Sequence, residues 1–281
     1  MDAEIDLCEY CFTADDFCKR NITGLKDCSL FNITYHGTFP FRTFYKHIIF
    51  SSIRFEQVSE GSLKILIKEE GRPIIKEYQL NKDGNYELDK TIALPDRTKD
   101  FGYIYNGSYY SRHRYQHKVV KYNFETGEST TGEKLRHIPA YDVLVFHLDQ
   151  NYIWIFNLIN LTLDTYEAVQ INPEDLQVLS QQNIKPNYCF IKYQFVAFGK
   201  VYCLYDGEKL KVYLLSDFNE NKNSHITDSE EVYTDREEEF HIIKLFYNFK
   251  ERQLYLIDRS YVTNNYTIHS YKLRFNCPYE E

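Results

Sequence analysis

The sequence lacks long apolar segments and any excess of positive charge. No run reaches the roughly 18 apolar residues of a membrane-spanning helix, so no span is predicted. Residues 1–20 are too charged for a signal peptide, and secretion would require a signal outside this sequence or one already removed. The formal net charge of -8 argues against a nucleic-acid surface, which needs a basic stripe.

The sequence also lacks the short motifs of common enzymes. It contains no G-x-S-x-G, no H-E-x-x-H and no glycine-rich phosphate loop. His113, His117, His137 and His147 are scattered among basic or apolar residues, which is typical of surface or core histidines. We therefore predict no catalytic residue, no metal site and no cofactor.

Helix-forming signals are weak, whereas aromatic residues are abundant. The chain has one Met but 26 Tyr and 20 Phe, residues that favour strands. Short β-rich runs separated by Gly, Asn and Asp turns follow each other from about residue 41. About 18–20 strands exceed most sandwiches and fit five blades of four strands. We predict one β domain over residues 41–281, preceded by an irregular, cysteine-rich lead-in over residues 1–40.

Cysteines and glycosylation sequons indicate an oxidising compartment. Four of the seven cysteines lie between Cys8 and Cys28, and zinc would need a further C-x-x-C pair or nearby histidines. Disulfides are therefore favoured, and the N-terminal cysteines also offer a route to oligomers. Cys189 and Cys203 lie in apolar runs, where buried free thiols are the alternative. The disulfide candidates are Cys8, Cys11, Cys18, Cys28 and Cys277.

N-x-[ST] sequons occur more often than chance predicts. Five are present, against roughly two expected from the composition. We expect at least two of them to be occupied if the chain passes through a secretory pathway. The predicted glycosylation sites are Asn21, Asn32, Asn106, Asn160 and Asn265.

Several segments, taken in order, resemble the motifs of one family. Tyr105–Tyr110 reads Y-N-G-S-Y-Y and leads into K-V-V-K-Y-N-F-E-T, a predicted hairpin with a third strand. Asp149–Phe156 resembles D-E-x-G-L-W-V-I, and Phe195–Tyr202 resembles A-F-I-x-C-G-x-L-Y. Tyr247–Asp258 resembles Y-N-P followed by L-Y-A-W-D, and Ile171–Val178 resembles L-N-P-x-T-L-x-V. Together these segments resemble the olfactomedin domain from about residue 28 onwards.

The resemblance implies a fold, a location and a type of role. Olfactomedin domains are five-bladed β-propellers, secreted or displayed at the cell surface, that act in adhesion and receptor recognition. The implied partner is an extracellular protein or receptor. In this family the N-terminal segment helps to complete the last blade, so the resemblance implies that Cys277 lies near the N-terminal cysteines. A bridge from Cys277 to Cys28 is the favoured pairing.

The resemblance also identifies where this chain departs from the family. Many olfactomedin domains hold calcium in the central channel through carboxylate and amide side chains. The corresponding positions here are Val145, Tyr193 and Phe246, which offer no side-chain carboxylate or amide. The cysteine of the family's usual disulfide is replaced by Phe198, so the bridging scheme must differ.

One charged cluster is a candidate contact for a partner. It consists of Arg112, His113, Arg114, His117 and Lys118, next to the Asn106 turn. An acidic protein or sulfated glycan would fit this cluster. The alternative is a solvated turn with no ligand.

We therefore predict an all-β, five-bladed β-propeller of four-stranded antiparallel blades. Its predicted role is extracellular protein recognition or adhesion without catalysis. Two alternatives stay open: a propeller hydrolase or lyase with a polar central channel, and an intracellular propeller scaffold with free thiols.

Overall fold

The computed structural model describes most of the chain from Ser29 to Asn276. All statements below concern these residues. The described residues are 29–41, 50–59, 62–69, 71–80, 86–95, 102–113, 116–135, 144–150, 152–160, 165–184, 193–206, 210–218, 222–223, 229–232, 240–260 and 266–276.

The strands form five antiparallel sheets, which are the blades of a β-propeller. The first strands of the blades contact one another around the centre, while later strands lie further out. Blade 1 contains β2 (Phe50–Ser59), β3 (Ser62–Glu69), β4 (Ile74–Leu80) and β5 (Tyr86–Ala93). Blade 2 contains β6 (Tyr103–Tyr105), β7 (Ser108–Arg112), β8 (Lys118–Asn123) and β9 (Ser129–Lys134). Blade 3 contains β10 (Leu144–Asp149), β11 (Tyr152–Asn160), β12 (Thr165–Ile171) and β13 (Val178–Ile184).

The last two blades depart from this simple order. Blade 4 contains a fifth strand, because both β17 and β18 pair with β16. In blade 5 the N-terminal strand β1 pairs antiparallel with the C-terminal strand β21 and becomes the outermost strand. Blade 4 contains β14 (Gln194–Ala197), β15 (Lys200–Asp206), β16 (Leu210–Asp217), β17 (Lys222–Asn223) and β18 (Ser229–Val232). Blade 5 contains β19 (Phe240–Asn248), β20 (Gln253–Ser260), β21 (Tyr266–Asn276) and β1 (Ser29–Phe41).

The predicted fold class is confirmed, and the propeller extends beyond the predicted boundary at residue 41. Composition placed residues 29–40 in the lead-in, yet they belong to β1 of the last blade. An unpaired edge strand exposes backbone N–H and C=O groups, and pairing with β1 covers this edge of β21. No helix in the described residues is long and apolar enough to span a membrane.

The core explains why inner strands are apolar on both faces. In β11, Ile153 and Ile155 face the main core, whereas Trp154 and Phe156 pack between blades 3 and 4. Each blade is covered by its neighbours, so the usual alternation of apolar and polar residues is lost. The outer strand β9 is less covered, and five of its six residues are exposed to solvent.

Candidate functional site

The three positions that correspond to the family's calcium ligands carry aromatic and aliphatic side chains. Phe246 on β19 is buried and stacks on Tyr103 of β6, with ring centroids 5.9 Å apart. The buried Tyr193 donates its hydroxyl hydrogen bond to the carbonyl of Ile242 over 3.3 Å. Val145 packs against the cluster between blades 3 and 4. These three positions therefore present no carboxylate that could attract a calcium ion.

A lysine adds positive charge to the inner strands. Lys244 of β19 is half-buried, and burial lowers its pKa to about 8. His147 of β10 has its pKa lowered to about 3, first by burial and then by the charge of Lys244. At neutral pH the lysine is mostly protonated and the histidine neutral. The lysine charge opposes binding of a cation nearby.

We predict that calcium does not stabilise this protein. A ligand of the native state raises the melting temperature in proportion to its affinity. Differential scanning calorimetry in 5 mM calcium and in chelator should therefore give melting temperatures that agree within about 1 °C. A rise of several degrees with calcium would contradict the prediction. Magnesium at equal concentration controls for ionic strength.

Asp149, at the end of β10, joins blades 3 and 4. Its carboxylate accepts hydrogen bonds from the backbone N–H groups of Phe198 (2.8 Å) and Gly199 (2.6 Å). Those two residues form the β14–β15 turn and both have positive φ, 55° and 71°. A bulky residue at positive φ is strained, so the turn depends on contacts from outside its own blade.

The same turn also contacts blade 5. The ring of Phe198 meets Phe275 of β21 edge-on, with centroids 4.8 Å apart. Next to it, the backbone N–H of Leu30 in β1 donates to the hydroxyl of Tyr202 over 3.2 Å. Where the resemblance implies a disulfide cysteine, this chain therefore has an aromatic contact.

Cys203 is disulfide-bonded, so a buried free thiol at this position is wrong. The other six cysteines, Cys8, Cys11, Cys18, Cys28, Cys189 and Cys277, lie outside the described residues. Cys203 belongs to the cluster between blades 3 and 4, whereas its neighbour Tyr202 faces the main core and bonds β1. Gln194, which follows Cys189 closely in sequence, lies opposite Cys203 in the β14–β15 pair.

We predict a bridge between Cys28 and Cys277 from the register of blade 5. In the β1–β21 pair, Ser29 lies opposite Asn276, and Cys28 precedes the first of these residues while Cys277 follows the second. Residues opposite each other in such pairs have Cα atoms about 4.5–5.5 Å apart, within the range of disulfides. Non-reducing peptide mapping should recover a Cys28–Cys277 peptide. A Cys28–Cys203 peptide would contradict the prediction.

Asn106 lies beside a cavity of about 330 Å³ between blades 1 and 2. Arg54 crosses between the two blades: it donates to the carbonyl of Ile104 over 3.0 Å and lies 5.4 Å from the centre of the Tyr105 ring. Lys64 pairs with Glu77 over 2.6 Å. The cavity is lined by these charged groups together with Leu66, Lys90, Ile92, Ile104, Asn106, Gly107, Asn123, Phe124 and Glu125.

The other sequence-predicted sites are only partly brought together. The basic cluster is not a single exposed patch, because Arg112 is buried and its guanidinium contacts the His117 Nδ1 over 3.0 Å. Arg114 lies outside the described residues, as do Asn21, Asn265 and His137. Asn32 and Asn160 lie in β1 and β11, with side chains that are not described. Asn106 is exposed at its turn.

A buried histidine–carboxylate pair lies away from the channel. His269 Nε2 and Asp258 Oδ2 are 3.4 Å apart, on β21 and β20. These are the middle strands of blade 5, so the pair does not line the inner strands. Among the described residues, no group of three or more His, Cys, Asp or Glu could hold a metal ion.

Sequence reasoning missed three of these features. The role of Asp149 depends on a turn that belongs to the next blade, and no local pattern shows such a contact. The cavity beside Arg54 forms only when two blades meet. Lys244 did carry a local signal. It interrupts the apolar run Ile242–Phe246, and a lysine in such a run is rarely fully solvated.

Comparisons with curated sequences and solved structures find no near relative. No curated protein sequence matches the chain. Among solved structures, an exo-beta-1,3-galactanase from Phanerochaete chrysosporium is similar at 7% identity and TM-score 0.48, over 85% of this chain and 64% of that one. A quinonprotein alcohol dehydrogenase-like protein from Bacteroides thetaiotaomicron is similar at 16% identity and TM-score 0.38, over 78% and 62%.

This chain thus spans less than two thirds of either structure, and similarities this distant do not bear on function. The family comparison is more specific. The model of the olfactomedin-like domain matches residues 66–276, which is most of the chain. The match includes blades 2, 3 and 4 entirely, together with strands β19, β20 and β21 of blade 5. The chain therefore belongs to the olfactomedin-like domain family.

Proposed function

We propose that this protein is an extracellular recognition module that binds another protein and catalyses no reaction. The observation that carries the proposal is the family match over residues 66–276. Members of this family act at the cell surface and in the matrix, as the sequence resemblance implies. Adhesion is the most general form of such a role.

Two features of the described residues support the extracellular, non-catalytic form of this proposal. Disulfides persist in oxidising compartments, and Cys203 is disulfide-bonded. This observation favours the extracellular module over an intracellular scaffold with free thiols. The family's calcium positions offer no carboxylate for catalysis either, because Tyr193 and Phe246 are buried aromatic residues there.

The surface for a partner should lie on loops at one propeller face. Loops on a rigid scaffold carry recognition because they tolerate sequence change without loss of the core. The turns of blade 2 belong to the described part of such a surface. An acidic glycan is the second candidate ligand, through the half-buried His113, His117 and Lys118 of the basic cluster.

A screen of extracellular domains tests this proposal directly. The glycosylated domain, displayed as a multimer to raise avidity, is exposed to a library of cell-surface and secreted proteins. We expect at least one saturable protein partner whose binding survives chelator and removal of sulfated glycans from the cells. Binding that disappears with those glycans would instead identify the glycan as ligand. A heat-denatured sample of the same domain controls for nonspecific adhesion.

A further inference from the structure

We propose that Asn106 carries an N-linked glycan whose first sugars pack into the cavity between blades 1 and 2. This inference rests on the proposed function, because N-glycosylation occurs only along a secretory pathway. The proposal adds a packed contact between the carbohydrate and the protein, whereas a sequon by itself predicts only attachment.

The turn presents the asparagine at the mouth of the cavity. Asn106 and Gly107 both have positive φ, 44° and 66°, as a two-residue hairpin turn between β6 and β7 requires. Asn106 is exposed and also lines the cavity. A glycan on its amide nitrogen therefore starts at the cavity wall rather than in open solvent.

The cavity has the chemistry of a sugar site. Its volume of about 330 Å³ lies at the small end of ligand pockets, which are about 300–1,000 Å³. Arg54, Lys64, Glu77 and Lys90 supply donors and acceptors for hydroxyl and acetamido groups. The half-buried ring of Phe124 supplies an apolar surface for the face of a sugar ring.

The attachment reaction is chemically balanced with a lipid-pyrophosphate-linked oligosaccharide as donor. The Asn106 Nδ2 atom attacks the anomeric carbon of the first sugar and loses one proton. The bond between that carbon and the pyrophosphate oxygen breaks, and the lipid pyrophosphate leaves with the electron pair. No oxidant or reductant takes part.

The folded hairpin sets the order of events. Ser108, the sequon's hydroxyl residue, is fully buried, and its Oγ lies 3.5 Å from the Asn106 carbonyl oxygen. A transferase cannot reach this hydroxyl once β6 and β7 have paired. Glycosylation must therefore precede folding of blade 2, and the sugars then pack as blades 1 and 2 meet.

The test compares melting temperatures of the secreted protein with and without its glycans. Mass spectrometry should find Asn106 occupied, and complete removal by a peptide-N-glycosidase should lower the melting temperature by about 2–4 °C. Protein whose glycans are trimmed to one N-acetylglucosamine should melt close to the untrimmed protein. Because the glycosidase leaves Asp at the site, Asn106→Asp from the same cells is the matched control. Asn21→Asp, outside the described residues, should have no effect.

Lys90, a cavity residue from β5 of blade 1, provides a second measurement. Lys90→Ala should reduce the glycan-dependent difference without changing the melting temperature of the glycan-free protein. Lys134→Ala, an exposed lysine of β9 outside the cavity, should change neither.

Each negative result has a distinct meaning. An empty Asn106 beside an occupied sequon elsewhere would overturn this inference and leave the extracellular function standing. An occupied Asn106 whose removal leaves the melting temperature unchanged would overturn the packing. If no sequon is occupied when the chain is made in a secretory pathway, this inference fails and the extracellular location loses the support of the sequons.

Discussion

Removing β1 should abolish cooperative folding of the whole propeller. This strand pairs with β21 at eleven positions, and Leu30, Ile33 and Tyr35 pack against the main core. Each lost hydrogen bond costs about 0.5–1.5 kcal/mol, and the loss of each of these half-buried side chains costs about 1 kcal/mol. The sum exceeds about 5 kcal/mol, which is comparable to the entire stability of a domain.

Two truncated proteins test this expectation. One lacks residues 1–28 and the other lacks residues 1–41, so that both have lost Cys28 and differ only by β1. Circular dichroism should show a cooperative thermal transition for the first protein and none for the second. The prediction is wrong if the protein without β1 melts cooperatively within a few degrees of its control.

Replacing Asp149 should weaken the contact between blades 3 and 4. Asp149→Ala leaves the N–H groups of Phe198 and Gly199 without their acceptor, and a buried unpaired donor costs about 1–3 kcal/mol. We expect urea unfolding to show a loss of about 2–4 kcal/mol for the two donors together. Asp149→Asn keeps one acceptor oxygen and should lose less. An alanine variant as stable as the wild type would contradict this role.

The same residue should make stability depend on pH. Burial raises the pKa of Asp149 to about 6, against the opposing effect of its two hydrogen bonds. Because the folded pKa exceeds the unfolded one, the stabilising contribution is complete below about pH 4 and is lost as pH rises through 6. Relative to Asp149→Asn, the wild type should therefore gain about 1–1.5 kcal/mol between pH 7.5 and pH 5. A difference that does not vary with pH would refute the assignment.

The architecture was largely predictable from sequence because its signals are local. The Tyr105–Ser108 hairpin was predicted from its Asn-Gly turn and is confirmed, as β6, β7 and the following β8. The strand count and family motifs gave five blades. The membership of β1 had no local signal, because its partner β21 lies at the opposite end of the described chain, and only the family resemblance implied that an N-terminal segment completes the last blade.

The candidate sites were harder to predict because they form between blades. The basic cluster looked like one patch in sequence, yet every residue of β7 is buried, including Arg112. The inter-blade cavity combines Arg54 of blade 1 with residues around Asn106 of blade 2, which are far apart in sequence. The carboxylate of Asp149 is adjacent to the Phe198 turn only once blades 3 and 4 have packed together.

Isothermal titration calorimetry on the domain and its partner distinguishes a recognition module from an enzyme. A recognition module should release heat that saturates at a fixed stoichiometry, and both components should keep their masses afterwards. An enzyme would instead release heat continuously while the mass of the partner or its glycans changes. We expect saturation with unchanged masses; sustained heat with an altered partner would show that the protein is an enzyme.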